Sequence, residues 1–211
     1  MRKLIVTEYL SLDGVIQAPG HAGEDAAGGF AHGGWTGPYM DDHRRYNDEL
    51  YQTVGAFLLG RLTYEIFAAA WPKVTDEHDR IARALNTLPK YVASMTLRPE
   101  QATWAPTTVL NGDVAAEVAR LKEETGRPIL VAGSASLVQE LQRHDLVDQY
   151  RLWLHPVVLG GGKRLFADGA APVTFRLVDG TTTSGGLALL TYERAAASTP
   201  GSRENGEADD T

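Results

Sequence analysis

The segment Gly60-Arg61-Leu62-Thr63 has residue types that suit a phosphate contact. It stands where a short apolar run ends and a helical pattern begins, and the first turn of a helix offers unpaired backbone N–H groups and a positive dipole end. Arg61 adds a two-pronged charged donor, and Thr63 adds a hydroxyl. The same residues also suit a tight turn at Gly60 followed by a solvated arginine, so both interpretations stay open.

A second segment, Gly133-Ser134-Ala135, again joins a predicted strand to a predicted helix. Gly133 would let a ligand approach the backbone, and the amides that follow would point outward. With a single glycine, the pattern is weaker than the three-glycine fingerprint of dinucleotide-binding loops. Ser134 equally suits an ordinary helix N-cap.

The third segment is the run Gly160, Gly161 and Gly162, which follows a long predicted strand. Consecutive glycines adopt backbone conformations closed to other residues, and they admit a flat ligand near the main chain. A Walker-type phosphate loop is excluded, because Val157 stands where its first glycine belongs and Arg164 replaces the Ser or Thr that holds magnesium. A corner between strands is the alternative for this run.

Alternating strands and helices must position these three segments. Apolar and β-branched runs predict strands at 3–10, 56–59, 90–94, 107–110, 129–132, 149–159, 173–178 and 187–193. Helical periodicity predicts helices at 40–54, 62–71, 76–88 and 113–125, and a fifth that carries Leu137, Val138 and Leu141. The pattern predicts a three-layer α/β fold, with a mostly parallel central sheet of about eight strands and an antiparallel C-terminal end. Each glycine segment then lies just beyond a strand end, where open α/β sheets bind ligands.

Composition limits the classes of function. The chain has 211 residues, with 20 Lys and Arg against 27 Asp and Glu, a net charge of −7, and no cysteine. The acidic balance argues against nucleic-acid binding, and the missing thiols exclude disulfides, thiolate metal sites and cysteine nucleophiles. No apolar run reaches the ~18 residues of a membrane span and no signal peptide is recognisable, so we expect a cytoplasmic protein without a membrane partner.

One domain and two irregular stretches are expected. Residues 1–195 form the predicted domain, and the polar stretch 196–211 cannot bury enough apolar surface to order itself, which predicts a disordered acidic tail. The glycine-rich stretch 17–38 is typical either of a functional lid or of a disordered loop. No metal site is predicted for the three histidines that recur at intervals of eleven: His21, His32 and His43.

Four sequence blocks together resemble a known family. They are SLDGVI at 11–16, LLGRLTYEIF at 58–67, VAGSA at 131–135 and HPVVLGGGKRLF at 155–166. In this order they resemble the RibD C-terminal domain family of dihydrofolate-reductase-like proteins, in particular its stand-alone bacterial members. The resemblance implies a dihydrofolate-reductase-like fold, NADPH bound across the strand ends, and a homodimer.

The resemblance also implies an activity. We expect an NADPH-dependent reductase that transfers hydride to a small heterocyclic substrate, similar to the 5-amino-6-(5-phosphoribosylamino)uracil reductase of riboflavin biosynthesis. A dihydrofolate reductase is the alternative enzyme, and a nucleotide-binding sensor without turnover is the alternative outside enzymes. The stretch 17–38 is more typical of the stand-alone branch than of the riboflavin-pathway reductases, which leaves the substrate open.

By the same resemblance, the strand-end residues contact the cofactor. Arg61 and Thr63 would address the adenosine-side phosphates, and the segment that starts at Gly133 would hold the pyrophosphate. The complete set of expected cofactor contacts is Gly60, Arg61, Thr63, Ser94, Thr96, Gly133, Ser134, Ala135, Gly160, Gly161 and Gly162.

Ser94 and Thr96 would flank the 2′-phosphoribose in this scheme. Dihydrofolate reductases often place a basic residue between the two equivalent positions, where this chain has Met95. Arg98, a few residues further on, is the candidate substitute for that charge.

Hydride transfer to a C=N or C=O group also needs a proton source. Asp13 follows the first predicted strand, and Asp41 and Asp42 begin the 40–54 helix, about where a dihydrofolate reductase places its substrate-facing acid. In an apolar pocket such a carboxyl would have a raised pKa and could act near neutral pH. A turn at Asp13 and dipole partners at the helix start are the alternatives. The candidate substrate contacts, each with a packing role as its alternative, are Trp35, Trp71 and His155.

Overall fold

Eight strands and five α-helices alternate along residues 1–195, the part of the chain that the computed structural model describes. The strands are β1 Leu4–Ser11, β2 Ala56–Gly60, β3 Lys90–Ala93, β4 Thr107–Leu110, β5 Ile129–Ala132, β6 Gln149–His155, β7 Phe175–Thr182 and β8 Ala188–Arg194. The helices are α1 Met40–Thr53, α2 Arg61–Ala70, α3 Arg80–Thr87, α4 Val114–Glu123 and α5 Ala135–Arg143. The predicted tail, 196–211, lies outside the described residues.

All eight strands form one sheet in the order β4-β3-β2-β5-β1-β6-β8-β7. The strands from β1 to β6 run parallel, whereas β8 is antiparallel to β6 and β7 is antiparallel to β8. The mostly parallel sheet with an antiparallel C-terminal end is therefore confirmed.

Helices cover both faces of the sheet. One buried cluster joins Leu50 of α1, Tyr64 of α2 and Leu85 of α3 to the sheet face that carries Ile5. A second cluster joins helices α4 and α5 to the opposite face. Because side chains alternate along a strand, β1 contributes to both clusters, and the result is the predicted three-layer architecture.

The strands β2 and β5 are neighbours, but the chain leaves them toward opposite faces. After β2 it enters α2, which packs in the first cluster, and after β5 it enters α5, which packs in the second. Such a divergence opens a crevice at the carboxyl ends of two parallel strands. The sheet topology therefore fixes where a ligand site can form.

Some element ends differ from the predicted ones. Strand β6 stops at His155 rather than at residue 159, since Pro156 has no N–H to continue the ladder. Helix α3 begins at Arg80 because the Asp79 side chain accepts the Ala82 backbone N–H and caps it there. Strand β7 runs on to Thr182, where pairing with β8 compensates for a mainly polar sequence.

Candidate functional site

A cavity of about 1070 Å³ opens at the carboxyl ends of the central strands. Its wall combines the ends of β1, β2, β3 and β5, the starts of α1, α2 and α5, and part of the 17–38 segment. The predicted cofactor contacts that line it are Gly60, Arg61, Thr63, Ser94, Gly133, Ser134 and Ala135. Two of the three glycine segments therefore meet in one place.

The starts of α2 and α5 are packed against each other through glycines. A Cβ on Gly60 would lie 1.9 Å from the Ser134 Oγ, and a Cβ on Gly133 would lie 2.6 Å from the Thr63 Oγ1. Gly133 also has a φ of +74°, which other residues rarely adopt. Glycine at both positions lets the hydroxyls of Thr63 and Ser134 approach to 3.4 Å.

The first backbone N–H groups of both helices are left available. No side chain within residues 1–195 caps α2 or α5, whereas Asp79 and Asp113 cap α3 and α4. Ser134 occupies the N-cap position, as one prediction had it, but its φ is +71° and its hydroxyl lies next to Thr63 instead of the helix amides. Two positive helix ends therefore face one cavity, which suits a ligand with adjacent anionic groups.

Arg61 links α2 to the turn after β3. Its Nη1 donates to the Thr96 Oγ1 at 2.7 Å, and its Nε donates to Glu65 at 2.7 Å. The Ser94 Oγ accepts from the backbone N–H groups of Thr96 and Leu97 and thereby shapes the turn. Thr96 itself does not line the cavity. Arg61 does, and its guanidinium places a positive charge in the cavity wall.

Sequence reasoning missed Glu8, a buried acid of the site. Glu8 is 7% exposed and lines the cavity, and its Oε1 has no hydrogen-bond partner among the described residues. Burial raises the pKa of Glu8 to about 8, and a hydrogen bond from the Gly133 backbone N–H offsets part of that rise. An acidic residue within the apolar run LIVTEYLS was the signal that could have identified it.

Of the three predicted catalytic acids, Asp41 alone lines the cavity. Asp13 accepts hydrogen bonds from the Ser11 hydroxyl and from the backbone N–H groups of Leu159 and Gly160, and these bonds lower its pKa to about 2. It therefore holds a turn as a carboxylate, outside the cavity wall. Asp41 is exposed at the rim, and Asp42 lies beside the Gly185 turn between β7 and β8.

The glycine run after β6 forms a corner beside the site. Gly160, Gly161 and Gly162 do not line the cavity, whereas the next residue, Lys163, does. The Gly160 N–H donates to Asp13, and a Cβ on Gly162 would lie 2.7 Å from Val15. The run therefore joins the ends of β1 and β6, as the corner interpretation predicts.

Of the predicted substrate contacts, Trp71 lines the cavity, and Trp35 and His155 lie behind its wall. The Trp35 Nε1 donates to the Gln17 carbonyl, and its ring packs edge-on against His155 at 5.0 Å. His155 is fully buried, and its Nε2 is 2.8 Å from the Nε2 of His43, which does line the cavity.

The hydrogen bonds of this histidine pair fix its tautomers. The His155 Nδ1 faces the carbonyls of Trp153 and Leu10, which can only accept, so this nitrogen carries the hydrogen. Burial lowers the pKa of His155, and burial together with His155 lowers the pKa of His43 to about 4. In the neutral pair the His43 Nε2–H donates to His155, which holds the His43 ring against Tyr9 at a centroid distance of 4.2 Å.

The 17–38 segment closes one side of the cavity. The Gln17 side chain donates to the carbonyls of Asp25 and Ala27, and it accepts the Lys163 N–H. The Lys163 Nζ pairs with Asp25 at 2.6 Å. These contacts tie the segment to the strand β6 side of the site, and its residues Gln17 to Gly20 form part of the wall.

Residues 1–195 contain neither a candidate metal-ion site nor a candidate membrane span. Within 1–195, no three His, Asp or Glu side chains come together as a metal-ion site would require. In the same range, no helix has the length and apolar character needed to traverse a lipid bilayer.

Comparison with known proteins gives a family match and close relatives. The family model of the RibD C-terminal domain matches residues 2–189. The protein YyaP of Bacillus subtilis (strain 168), described as uncharacterized, is 31% identical over 195 residues, which cover 90% of this chain and 94% of YyaP.

Solved structures share the fold. A putative riboflavin biosynthesis protein from Shewanella sp. PV-4 superimposes with a TM-score of 0.64 at 19% identity, and the match covers 92% of this chain and 99% of that one. The dihydrofolate reductase of Enterococcus faecalis, in complex with NADP(H) and RAB-propyl, superimposes with a TM-score of 0.58 at 16% identity, over 92% and 97% of the two chains. The dihydrofolate-reductase-like fold predicted from the sequence is confirmed.

Proposed function

The chain belongs to the RibD C-terminal domain family, and we propose that it is an NADPH-dependent reductase of a small heterocyclic substrate. One observation carries the proposal. The uncapped starts of α2 and α5 interlock through Gly60 and Gly133 at the switch point of the sheet, and both open onto one cavity. A dinucleotide has adjacent phosphates and an apolar ring, which are the features that such a cavity complements.

The residues present fit NADPH. The backbone amides that follow Gly133 would hold the pyrophosphate. A side chain at position 133 would collide with Thr63 and occupy the space in front of this helix start. Arg61, between Glu65 and Thr96, would contact the 2′-phosphate and supply the charge that Met95 does not. When bound, the cofactor supplies a hydride, which carries two electrons, and the protein supplies orientation and a proton.

The rest of the cavity suits a flat apolar or weakly polar substrate. Its wall includes Ile16, Ile66, Phe67, Trp71 and Leu137. These side chains would exclude water from the reacting groups and pack against a heterocycle. Reduction of 5-amino-6-(5-phosphoribosylamino)uracil is the activity that the family resemblance favours, and the dihydrofolate-reductase-like fold supports 7,8-dihydrofolate as the second candidate substrate.

Titration of the protein with NADPH tests the proposal. We expect saturable quenching of tryptophan fluorescence, since Trp71 lines the cavity, with calorimetry giving the same Kd. Turnover of either candidate substrate then assigns the reaction. Absence of NADPH binding up to millimolar concentration contradicts the proposal, whereas NADPH binding without turnover of any heterocycle favours a nucleotide sensor.

We also propose that the protein is a homodimer, as the family resemblance implies. The edge strand β7 supports this, because it exposes Leu177 and Val178, which are 51% and 37% accessible. Exposed edge strands with apolar side chains favour pairing with another chain. Light scattering should give the mass of two chains, and the mass of one chain would contradict the dimer alone.

A further inference from the structure

Strand β1 extends beyond its last pair with β5, and Glu8 is the first residue past that point. Thr7 pairs with Ala132, whereas Glu8 pairs only with Leu152 of β6. On the β5 side the chain turns away at Gly133 into α5, which leaves room beside the strand. The Glu8 carboxyl lines the cavity at this gap and lies within reach of the Gly133 backbone N–H.

The neutral acid is the stable form of Glu8 at this position. An ionised carboxyl needs several donors when it is buried, but Oε1 has no partner within the described part of the chain. Burial accordingly raises the pKa of Glu8 to about 8. At pH 7 the side chain therefore holds a proton and can donate it to a ligand.

Other ionisable groups surround this carboxyl. Burial raises the pKa of Tyr9, on the same strand, to about 12 and also raises the pKa of Tyr150, on β6, so both neighbours stay protonated at neutral pH. The elements around β1 also contribute charged or ionisable side chains to the cavity wall: Glu24, Asp25, Asp41, His43, Arg44, Arg61, Glu140 and Lys163. The three Lys and Arg side chains among them are engaged, Arg44 with Asp79, Arg61 with Glu65 and Lys163 with Asp25.

We infer that Glu8 is the proton donor of this site and that the substrate presents a C=N nitrogen to it. The inference rests on the reductase function proposed above. In the balanced step, Glu8 gives its proton to the nitrogen while the carbon receives hydride from the reduced nicotinamide. The C=N bond becomes CH–NH, NADPH becomes NADP⁺, and the Glu8 carboxylate regains a proton from water.

Glu8→Gln tests the inference, with Glu49→Gln on the exposed face of α1 as the matched control. Glutamine keeps the size of the side chain and an acceptor for the Gly133 N–H, but it has no transferable proton. Three measurements are made on each protein: NADPH affinity, single-turnover NADPH oxidation with 7,8-dihydrofolate or 5-amino-6-(5-phosphoribosylamino)uracil as the probe, and the infrared band of ¹³C-labelled glutamate carboxyls.

We expect Glu8→Gln to bind NADPH within about twofold of the wild type and to lose about 100-fold or more in single-turnover rate, the usual contribution of a general acid. The wild type should show a protonated carboxyl band at pH 7 that Glu8→Gln lacks and that disappears as the pH rises through about 8. Glu49→Gln should match the wild type in all three measurements.

Three results would overturn the donor role: an ionised Glu8 at pH 7, a Glu8→Gln rate within about threefold of the wild type, or a wild type that binds NADPH but reduces neither probe. Failure of the wild type to bind NADPH is a different outcome, since it refutes the reductase function and removes the inference with it.

Discussion

The burial of Glu8 opposes folding but supplies the cavity with an acidic group. Glu8 is a buried acid in a strand that otherwise consists of apolar and small polar residues, so it opposes the folding that its neighbours drive. Proteins keep such groups where chemistry needs a shifted pKa, and this one lies in the wall of the cavity. From this burial we can also predict how the free energy of unfolding depends on pH in the absence of any ligand.

The free energy of unfolding should respond to pH through Glu8. Between its ordinary pKa of 4.5 and its folded value of about 8, the native state holds a proton that the unfolded state has released. Stability is therefore lost as the pH rises through this window, by about 3 kcal/mol at pH 7. Urea unfolding of Glu8→Gln should show a gain over the wild type that grows from pH 5 to pH 8.

The exposed Glu49→Gln variant should show no such growing gain. A Glu8→Gln variant whose stability parallels that of the wild type across this range would mean that Glu8 titrates like an exposed glutamate.

We expect Arg61 to determine the preference for NADPH over NADH. Its guanidinium is joined to Thr96 and Glu65, and surface ion pairs of this kind are weak enough to yield to a phosphate. Arg61→Ala should raise the Kd for NADPH about 10- to 100-fold, the value of a charge-assisted hydrogen bond, and change the Kd for NADH by less than about threefold. Calorimetry with both cofactors measures the difference.

Arg98→Ala serves as the comparison, because Arg98 is exposed, pairs with Glu100 and does not line the cavity. Equal losses for NADPH and NADH in Arg61→Ala, or the larger loss of NADPH preference in Arg98→Ala, would contradict the assignment.

At the scale of elements, the starts of α2 and α5 need glycine for a different reason than the run 160–162 does. Gly133 and Gly160 both have positive φ, +74° and +78°, so alanine strains the backbone at either position. A Cβ at Gly133 also meets Thr63, whereas a Cβ at Gly160 meets nothing within 4 Å. Gly133→Ala should therefore lose NADPH affinity at least about tenfold, and Gly160→Ala should lose stability alone.

Thermal unfolding and NADPH titration of the two variants separate these effects. Unchanged NADPH affinity in Gly133→Ala would contradict the role of the α5 start, and a comparable loss in Gly160→Ala would restore the glycine run to the cofactor site.

The elements themselves could be predicted from local patterns. The run 129–132 and the capping residue Asp113 define β5 and the start of α4, because apolar runs and caps act within a few residues. The residues Arg61 and Gly133 could be assigned to one site because parallel strands end at one edge. The position of the run 160–162 relative to the cavity could not be predicted. It depends on the hydrogen bond from the Gly160 N–H to Asp13, and these residues are 147 positions apart.

The surroundings of Glu8 and His43 could not be predicted from the sequence, for a related reason. Their environments are set by partners distant in the chain, Gly133 for the first and His155 for the second. The prediction of Asp41 and Asp42 as proton donors placed the acid at the start of α1, whereas Glu8, the buried acid of the cavity wall, lies on β1. Periodicity shows which face of an element is buried, but not which buried polar group lacks a partner.

At the scale of the whole molecule, the order of the strands in the sheet determines where the site forms. The chain builds β2, β3 and β4 outward on one side, returns to place β5 between β2 and β1, and then crosses β1 to form β6. The helices after β2 and β5 consequently lie on opposite faces, and their starts meet above the sheet edge. We propose that these two helix starts together bind one dinucleotide.

Hydrogen exchange of the full chain, with and without saturating NADPH, shows whether both helix starts contact the cofactor. We expect the amides of residues 61–64 and 135–138 to become slower to exchange together and at the same NADPH concentration. Protection of only one of these helix starts, or of neither while NADPH is bound elsewhere, would contradict it.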